Sequence, residues 1–347
     1  MISNRIKVRP FLRIALAGVG LCFIYYLGVR TWELARIFYG HPGLALTQGE
    51  VAEAYKERDL SIPAPIPKII HQIFHNWTDA DNEHIPEEYA LQRQTCIDAN
   101  PGWENRLWTS KTSRAFLEKE YPWFLQTYDG YPIGVQRVDA LRYFLMRHFG
   151  GIYLDLDNSC KTSLEPLRYY PLWTTYGGHG TISNNILGAR PGHPFWIMLT
   201  DALVRYAWKY PLPYITVSYA SGQWFMSKIW RQFHERNPEA PMIRILMDFR
   251  PGSAEWVFFD MGPGGGSWRE WDDAFILWIS RGTRNLVITI VVGVILGVVV
   301  VALGILACMA SRSLFQGRRK KTPWHRESPE EGEALLNEDD TELRPMR

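Results

Sequence analysis

Two aspartates separated by one residue, Asp155 and Asp157, end a short apolar run in this chain of 347 residues. Side chains in a strand alternate between its two faces. Both carboxylates are therefore predicted to project from one side of a strand end, with Leu156 turned into the core. Paired carboxylates suit a divalent cation that keeps open coordination positions for phosphate oxygens. The spacing thus predicts a metal site for a nucleotide diphosphate.

Three interpretations of this triplet compete. In an open α/β sheet, ligands gather beyond the carboxyl ends of strands, which favours the metal site. A polar turn after a buried strand is the simplest alternative. Phosphatases and phosphomutases of the haloacid dehalogenase type also end a strand in Asp-x-Asp. That motif normally continues with Thr or Val at the position of Ser159, so the dehalogenase interpretation is disfavoured and the first two stay open.

The segment before this strand, residues 134–148, is predicted to be a helix. Its apolar residues recur at helical spacing and would face a core; they are Val138, Leu141, Leu145 and Phe149. Asp139 and Arg142 lie three residues apart on one helix face, and the glycine pair at 150–151 ends the helix. This pair is either an ordinary surface ion pair or part of the same pocket. In the second case the guanidinium would serve sugar hydroxyls or phosphate.

Residues 138–143 and 150–157 together resemble the core of the DXD glycosyltransferases of family 32, which carry a glycosyltransferase sugar-binding region. Three further segments are similar to the same family, at residues 66–73, 184–195 and 264–268. The resemblance therefore extends through a whole domain and is not confined to one motif. The family includes initiating α-1,6-mannosyltransferases of fungi and enzymes that mannosylate inositol phosphoceramide.

The resemblance implies a metal site with named ligands. Asp157 would bind the cation directly, and Ser267 from a late loop would complete the site. Asp155 would share the cation and face the sugar or the ribose of the donor. The cation would be Mn²⁺ or Mg²⁺, which neutralises the charge that develops on a departing diphosphate. Asp155 and Asp157 are therefore the predicted catalytic residues.

The resemblance also implies a set of residues that hold the donor sugar. Asp139 and Arg142 would bind its hydroxyl groups, and His71 and Trp268 would border the same pocket. His71 is equally compatible with a hydrogen-bonded histidine of the core, and Trp268 with simple packing in an aromatic-rich domain.

Two adjacent asparagines, Asn184 and Asn185, are the candidates for acceptor binding. They precede an apolar run, and turn residues at that point are the alternative. The chain departs from the family pattern at Arg269, where the sphingolipid branch often has His. This departure bears on the identity of the acceptor.

Strands and helices alternate along the middle of the chain. The predicted elements are a strand at 68–74, a helix at 87–99, a strand at 104–108 and a helix at 109–120. The 134–148 helix and the aspartate strand follow. Such alternation predicts an α/β domain with a mostly parallel sheet covered on both faces. The resemblance implies the same architecture, the Rossmann-like GT-A nucleotide-sugar fold.

Two apolar segments flank this domain. Residues 11–30 are predicted to form a signal-anchor transmembrane helix, with a cleaved signal peptide as the alternative, and residues 285–311 a second transmembrane helix. Basic residues precede the first and follow the second, which predicts cytosolic termini and a luminal domain in a Golgi or other secretory-pathway membrane. The remaining predicted parts are a cytosolic N-terminus (1–10), a luminal stem (31–65), the GT-A domain (66–280) and a disordered cytosolic tail (312–347).

Charge and cysteine content add two constraints. The chain has 38 Lys and Arg against 36 Asp and Glu, so it offers no basic stripe for nucleic acid. Cys96 and Cys160 are the cysteines of the predicted luminal part, in a compartment that permits a disulfide. Their spacing does not decide whether they pair.

The resemblance implies a metal-dependent mannosyltransferase that acts with retention, and the two predicted anchors place it in a membrane. The second span points to the branch of the family that mannosylates inositol phosphoceramide, which implies transfer of mannose from GDP-mannose to that lipid. Two membrane anchors would hold the site close to lipid headgroups, which suits such an acceptor. Two alternatives stay open: an α-1,6-mannosyltransferase that acts on N-glycans, and a non-catalytic membrane subunit of a glycosyltransferase complex. The lipid bilayer and a regulatory membrane subunit are the predicted partners, although no residue identifies a docking surface for the subunit.

Overall fold

A seven-stranded sheet lies at the centre of this computed structural model. The structure describes residues 8–38, 43–79, 81–178, 180–240, 244–247, 257–261 and 271–282, with scattered residues between 284 and 306. The chain divides into two units, residues 1–276 and 277–347. The first unit contains the sheet and the predicted site.

The secondary-structure elements are numbered in chain order within the described residues. The helices are α1 (Val8–Ala35), α2 (Gln48–Lys56), α3 (Glu87–Ala99), α4 (Ser110–Glu120), α5 (Pro122–Asp129), α6 (Gly134–His148), α7 (Pro194–Tyr206), α8 (Pro213–Ala220), α9 (Gln223–Arg236) and α10 (Asp273–Ser280). The strands are β1 (Leu44–Thr47), β2 (Ile69–Ile73), β3 (Glu104–Trp108), β4 (Gly151–Leu154), β5 (Asn158–Cys160), β6 (Leu172–Gly178), β7 (Thr181–Ala189), β8 (Arg244–Met247) and β9 (Phe259–Met261). Short 3₁₀ helices occupy Arg36–Phe38 and Glu165–Tyr169.

The sheet is mixed, with strand order β1-β8-β6-β7-β4-β2-β3. β1 with β8, β8 with β6, β4 with β2 and β2 with β3 are parallel pairs, whereas β7 runs antiparallel to both β4 and β6. A separate antiparallel pair joins β5 to β9. The predicted α/β class is therefore confirmed, and most strand pairs are parallel as predicted. The antiparallel strand β7 is an addition to that prediction.

Helix α6 is buried around most of its circumference, not only along one apolar stripe. The consecutive residues Tyr143 to Met146 are all fully buried, because the sheet covers one side of the helix and α7 and α8 cover the other. Asp139 and Arg142 are buried as well. The interpretation of this pair as a solvated surface ion pair is therefore wrong.

The turn between α6 and β4 requires glycine at two consecutive positions. Gly150 and Gly151 have φ of 64° and 92°, a region that other residues rarely adopt. A Cβ on Gly150 would lie 2.6 Å from the Ala189 carbonyl oxygen, and one on Gly151 would lie 2.7 Å from that of Ile69. Both backbone conformation and space thus fix the start of β4 between β2 and β7.

The domain begins earlier than the predicted boundary at residue 66. β1 pairs in parallel with β8 at the edge of the sheet, and α2 begins with a capping box formed by Thr47 and Glu50. Residues 44–56 of the predicted luminal stem therefore belong to the fold. The sequence did not reveal this because the partner strand β8 lies about 200 residues away and β1 has only four residues.

A disulfide joins Cys96 in α3 to Cys160 in β5, with their Cα atoms 4.7 Å apart. The pairing that the sequence left open is thereby settled. The bond closes a loop with a sequence separation of 64 residues. A closed loop of that length lowers the conformational entropy of the unfolded chain. On the chain-entropy model this stabilises the folded state by roughly 4 kcal/mol.

The structure describes only part of the predicted membrane segments. Across the ranges given above, no helix combines the length and the apolar character needed to cross a bilayer. The predicted second span at 285–311 lies partly outside the described residues, and residues 1–7 and the tail at 312–347 lie wholly outside them.

Candidate active site

The carboxyl end of β4 brings together the charged residues that the sequence singled out. Asp155 directly follows β4, and α6 packs beside that strand and supplies Asp139 and Arg142. The Arg142 Nη2 atom lies 3.2 Å from Asp139 Oδ1 and 3.4 Å from Asp155 Oδ1. One guanidinium therefore links the helix carboxylate to the carboxylate at the strand end.

The segment from Asp155 to Asn158 is a turn and does not continue the strand. The ladder between β4 and β7 ends at Leu154, and the Asn158 N–H donates to the Asp155 carbonyl at 3.1 Å. Leu156 is buried, as predicted. The prediction that strand alternation sets both carboxylates is wrong, because the turn, not the strand, places Asp157.

Asp139 is held by hydrogen bonds from two other elements. The Asn184 Nδ2 of β7 donates to Asp139 Oδ1 at 3.0 Å, and the Ser221 Oγ after α8 donates to Asp139 Oδ2 at 3.0 Å. The Asn184 Nδ2 also donates to the Tyr143 hydroxyl, and the Asn184 carbonyl accepts from Arg142 Nη1 at 2.7 Å. Both oxygens of Asp139 are thus occupied within the protein. Ser221 gave no signal in the sequence.

Asp155 is fixed from its backbone and from its side chain. Its N–H donates to the Asn185 carbonyl at 2.9 Å, and the Tyr153 hydroxyl donates to its Oδ1 atom. The Arg142 guanidinium lies over the Tyr153 ring, 4.9 Å from its centroid. Sequence reasoning missed Tyr153, although its position two residues before Asp155 was a usable signal, since both side chains share a face.

The charges of this cluster do not balance. Among the described residues, Asp139 and Asp155 pair with the guanidinium of Arg142, and Asp157 interacts with it only at longer range. Burial raises the pKa of Asp139 and Asp155, while Arg142 opposes that shift. Burial, followed by the charge of Asp155, raises the pKa of Asp157 to about 6. Fully ionised, the cluster would carry an excess of negative charge, and the raised pKa values reflect that.

A divalent cation fits this excess of negative charge. Asp157 is half-buried and accepts one hydrogen bond from the Asn158 amide at 3.2 Å, and hard carboxylate oxygens are the ligands that Mg²⁺ and Mn²⁺ prefer. Within the described part of the chain, no group of three or more His, Cys, Asp or Glu is placed to hold a metal. Asp155 and Asp157 would therefore need further ligands from a bound diphosphate or from another segment of the chain.

Arg142 acts inside the protein and does not face an open pocket. Its side chain is 5% exposed, whereas that of Asp155 is 30% exposed. Although burial opposes its charge, the carboxylate of Asp155 helps to hold the pKa of Arg142 above its usual value. In this arrangement Arg142 orients the carboxylates, and a direct bond to a sugar hydroxyl would require one of its present contacts to open.

His71 does not lie in the pocket, so its predicted role toward the donor sugar is wrong. It is fully buried, and its Nδ1 accepts from Trp108 Nε1 at 3.1 Å. The other ring nitrogen therefore carries the proton and donates to the Gly150 carbonyl at 3.0 Å. Burial, assisted by Arg106, lowers the pKa of His71 to about 3. The core-histidine alternative is the correct one, and the residue supports the glycine turn before β4.

The two asparagines lie inside strand β7, so the interpretation as turn residues is wrong. Asn184 belongs to the Asp139 network, and the Asn185 amide oxygen accepts from Thr175 Oγ1 at 3.1 Å. Their predicted role in acceptor binding stays a prediction.

The late element that the sequence singled out, with Ser267 and Trp268, lies outside the described residues. Its approach is described up to Met261, which pairs with Asn158 where β9 meets β5. The chain thus enters the segment 262–270 next to the turn that carries Asp157.

Comparison with known proteins identifies the region that carries this cluster. Residues 86–173 match the family described as glycosyltransferase sugar-binding region containing DXD motif. Inositol phosphoceramide mannosyltransferase 3 of Schizosaccharomyces pombe is 39% identical over 219 residues, which are 62% of this chain and 59% of that protein. Mannosyl phosphorylinositol ceramide synthase SUR1 of Saccharomyces cerevisiae is 36% identical over 251 residues, which are 70% of this chain and 64% of that protein.

Among solved structures, the PaToxG glycosyltransferase is similar at 15% identity and a TM-score of 0.35, over 50% of this chain and 70% of that chain. The matched part of this chain spans less than two thirds of either yeast relative. The predicted resemblance is confirmed: residues 86–173 match the DXD sugar-binding region of glycosyltransferases. The predicted enzyme class agrees with the names of the relatives.

Proposed function

We propose that this chain, with its DXD sugar-binding region, is a metal-dependent mannosyltransferase that transfers mannose from GDP-mannose to inositol phosphoceramide with retention. The observation that supports it most is the cluster at the carboxyl end of β4, where Asp139 and Asp155 pair with one guanidinium and Asp157 lies close by. The names of the two yeast relatives support the sugar and the acceptor. The central sheet with helices on both faces supports a GT-A nucleotide-sugar fold.

In the proposed mechanism, Asp155 and Asp157 would hold Mn²⁺ or Mg²⁺. The bound cation would act as a Lewis acid toward the charge that develops on the leaving phosphate. Arg142 and the Tyr153 hydroxyl orient Asp155 and oppose the rise in its pKa that burial causes. These fixed partners lower the cost of reorganisation when the donor binds.

Asp139 is proposed to set the wall of the donor-sugar pocket. Its oxygens accept from Asn184 and Ser221, which ties α6 to β7 and to the end of α8. Arg142 completes this wall from the same helix. Ser267 and Trp268 are proposed to close the site from the segment that follows β9.

The proposed setting is a Golgi or other secretory membrane, with both termini cytosolic and the domain luminal. Basic residues before the apolar segment 11–30 and after 285–311 support this orientation. The Cys96–Cys160 disulfide supports an oxidising compartment. A regulatory membrane subunit stays a predicted partner.

The test is mannose transfer by the full chain reconstituted in bilayers that contain inositol phosphoceramide. With GDP-mannose and Mn²⁺ the natural chain is expected to form mannosylated sphingolipid, and Asp157→Asn is expected to lose about 10²- to 10³-fold in rate. Asp129→Asn, which changes an exposed carboxylate paired with Arg114, serves as the matched control and should keep full activity.

Two outcomes would contradict the proposal in different ways. Transfer to an N-glycan acceptor but not to inositol phosphoceramide would identify the α-1,6-mannosyltransferase alternative. Absence of transfer and of slow donor hydrolysis with every nucleotide sugar, in a folded sample, would identify a non-catalytic subunit.

A further inference from the structure

A large exposed aromatic residue lies beside the short helix α8. Trp208 follows α7 and is 68% exposed. The loop that carries it is fastened to α8, because the Tyr210 N–H donates to Thr216 Oγ1 at 3.0 Å and the Thr216 hydroxyl donates back to the Tyr210 carbonyl at 3.1 Å. Trp208 is therefore exposed to solvent on a loop that hydrogen bonds hold in place.

A second exposed aromatic group reaches the same helix from the far end of the domain. Trp271 is 73% exposed, and Phe275 is exposed as well. Between them, the buried Asp272 carboxylate accepts the Tyr214 N–H of α8 at 3.0 Å. This contact brings a segment about 60 residues away in sequence against the start of α8.

Helix α1 also ends against this part of the molecule. The Glu33 carboxylate lies 3.4 Å from Lys228 Nζ of α9, the helix that follows α8. Arg231 Nη2 donates to the Arg36 carbonyl at 2.7 Å, and the Phe38 ring meets Trp224 edge-on at 5.2 Å. The end of α1 is thus held by charge, hydrogen bond and ring contact.

The apolar side chains of α1 face outward before it reaches this point. Among the side chains of α1 that the structure describes, six large ones are exposed: Leu21, Ile24, Tyr25, Tyr26, Val29 and Trp32. Exposed apolar surface of this extent marks a contact with a membrane or with another protein. A second apolar, charge-free segment, residues 286–310, follows closely after α10 in the sequence.

Exposed bases accompany these aromatic residues. Arg30 of α1 is half exposed, and Arg205 and Lys209 on either side of Trp208 are exposed. Trp rings with a polar N–H prefer the interface between water and lipid. Lys and Arg next to such rings attract anionic headgroups. The combination distinguishes a lipid surface from an ordinary protein partner, whose contact regions are depleted in Lys.

We propose that the α8 surface, defined by Arg30, Trp208, Lys209, Trp271 and Phe275, docks on the headgroup region of an anionic lipid bilayer. The aromatic rings would sit among the headgroups, and the bases would face lipid phosphates. The proposal concerns a contact of the domain itself and does not depend on which sugar or acceptor the site uses.

Helix α8 connects this surface to the carboxylate cluster. Its first turn holds Asp272 through Tyr214, and directly after its last residue Ser221 donates to Asp139. Eight helical residues span about 12 Å. Docking of the α8 surface would therefore bring the site close to lipid headgroups, where, on the proposed function, the acceptor lies.

The test places a fluorescent probe on the surface of the full chain reconstituted in phosphatidylcholine and phosphatidylinositol bilayers. Cys22→Ser and Cys308→Ser remove the cysteines outside the disulfide. Trp208→Cys and Trp271→Cys then carry the probe, and lipids with nitroxide headgroups quench it. Trp123→Cys is the matched control: Trp123 is 48% exposed and packs against Phe144 toward the other end of α6 from Asp139.

Probes at 208 and 271 are expected to be quenched several-fold more strongly than the probe at 123. Equal quenching at the three positions would overturn the proposal. Lys209→Cys, at an exposed neighbour, carries the same probe should Trp208→Cys fail to fold. Quenching is read without any turnover, so the result is independent of whether the chain transfers mannose.

Discussion

The two ends of strand β4 satisfy their polar groups in opposite ways. At the amino end, neutral His71 bonds to the Trp108 indole and to the Gly150 carbonyl, which closes a set of buried hydrogen bonds. At the carboxyl end, Asp155 and Asp157 lie in a cluster with more negative than positive charge. The first arrangement stabilises the fold without a ligand, whereas the second would be relieved by a bound cation.

This difference separates the residues expected to control stability from those expected to control binding. Substitutions at the amino end should lower the free energy of unfolding and leave the chemistry of the site intact. Substitutions of the carboxylates should do the reverse. Arg142 is the exception, since it is the buried counter-ion on which the carboxyl end depends.

Loss of Arg142 is expected to have the largest effect on stability. Arg142→Met leaves buried carboxylates without their cation and should lower the free energy of unfolding by about 3–5 kcal/mol. Urea unfolding of the purified chain, followed by Trp fluorescence, measures this change. Arg147→Met, at a partly exposed pair with Asp201, should cost no more than about 1 kcal/mol. Equal losses in the two variants would show that the cluster does not depend on its guanidinium.

His71→Leu tests the amino end with a side chain of similar volume. It leaves the Trp108 indole N–H and the Gly150 carbonyl buried without a partner, which should cost about 2–3 kcal/mol. The exposed His84 offers the control His84→Leu, expected to stay within about 0.5 kcal/mol of the natural chain. Mn²⁺ affinity should not change in His71→Leu. A large drop in Mn²⁺ affinity would show that the amino end of β4 contributes to binding, against the proposed separation of stability from binding.

Asp157→Asn should change stability in the opposite direction. Because burial and Asp155 raise the pKa of Asp157, removal of its charge is expected to stabilise the metal-free chain at pH 7 by roughly 1 kcal/mol, allowing for partial exposure. The same urea measurement in the presence of a chelator detects this gain. A loss of stability instead would mean that the Asp157 charge is well solvated or paired.

The two ends also respond to pH with opposite sign. In the unfolded chain, His71 becomes protonated as the pH falls below its usual pKa. In the folded chain it stays neutral down to about pH 3. The free energy of unfolding therefore decreases on acidification below neutrality. For Asp157 the folded pKa of about 6 lies above the usual value. Its contribution to the free energy of unfolding therefore falls as the pH rises toward 6. Unfolding of the metal-free chain between pH 4 and 7 should therefore show a steeper acid loss in Asp157→Asn and a shallower one in His71→Leu.

The sequence predicted the central elements well because their signals are local. α6 was predicted from helical spacing and its glycine stop, and the helix predicted at 109–120 is α4 together with its N-cap Thr109. The meeting of Asp139, Arg142 and Asp155 followed from a helix that leads directly into a strand. These inferences needed only residues close together in the chain.

The features that sequence reasoning missed depend on distant contacts. β1 joined the sheet through β8, and Ser221 reached Asp139 from 82 residues away. His71 is hydrogen-bonded to Trp108 of the neighbouring strand. The sequence does not show this contact, so a core residue was expected in the pocket. The turn after Leu154 escaped prediction because the alternating pattern continues through Asp157, three residues beyond the ladder.

The most direct test of the central claim is Mn²⁺ binding to the carboxyl end of β4. The electron paramagnetic resonance signal of free Mn²⁺ can be titrated with the full chain in the presence of GDP, for the natural chain, Asp157→Asn and His71→Leu. The account predicts that Asp157→Asn weakens Mn²⁺ binding by at least about tenfold while His71→Leu binds like the natural chain. Unchanged binding in Asp157→Asn would contradict it.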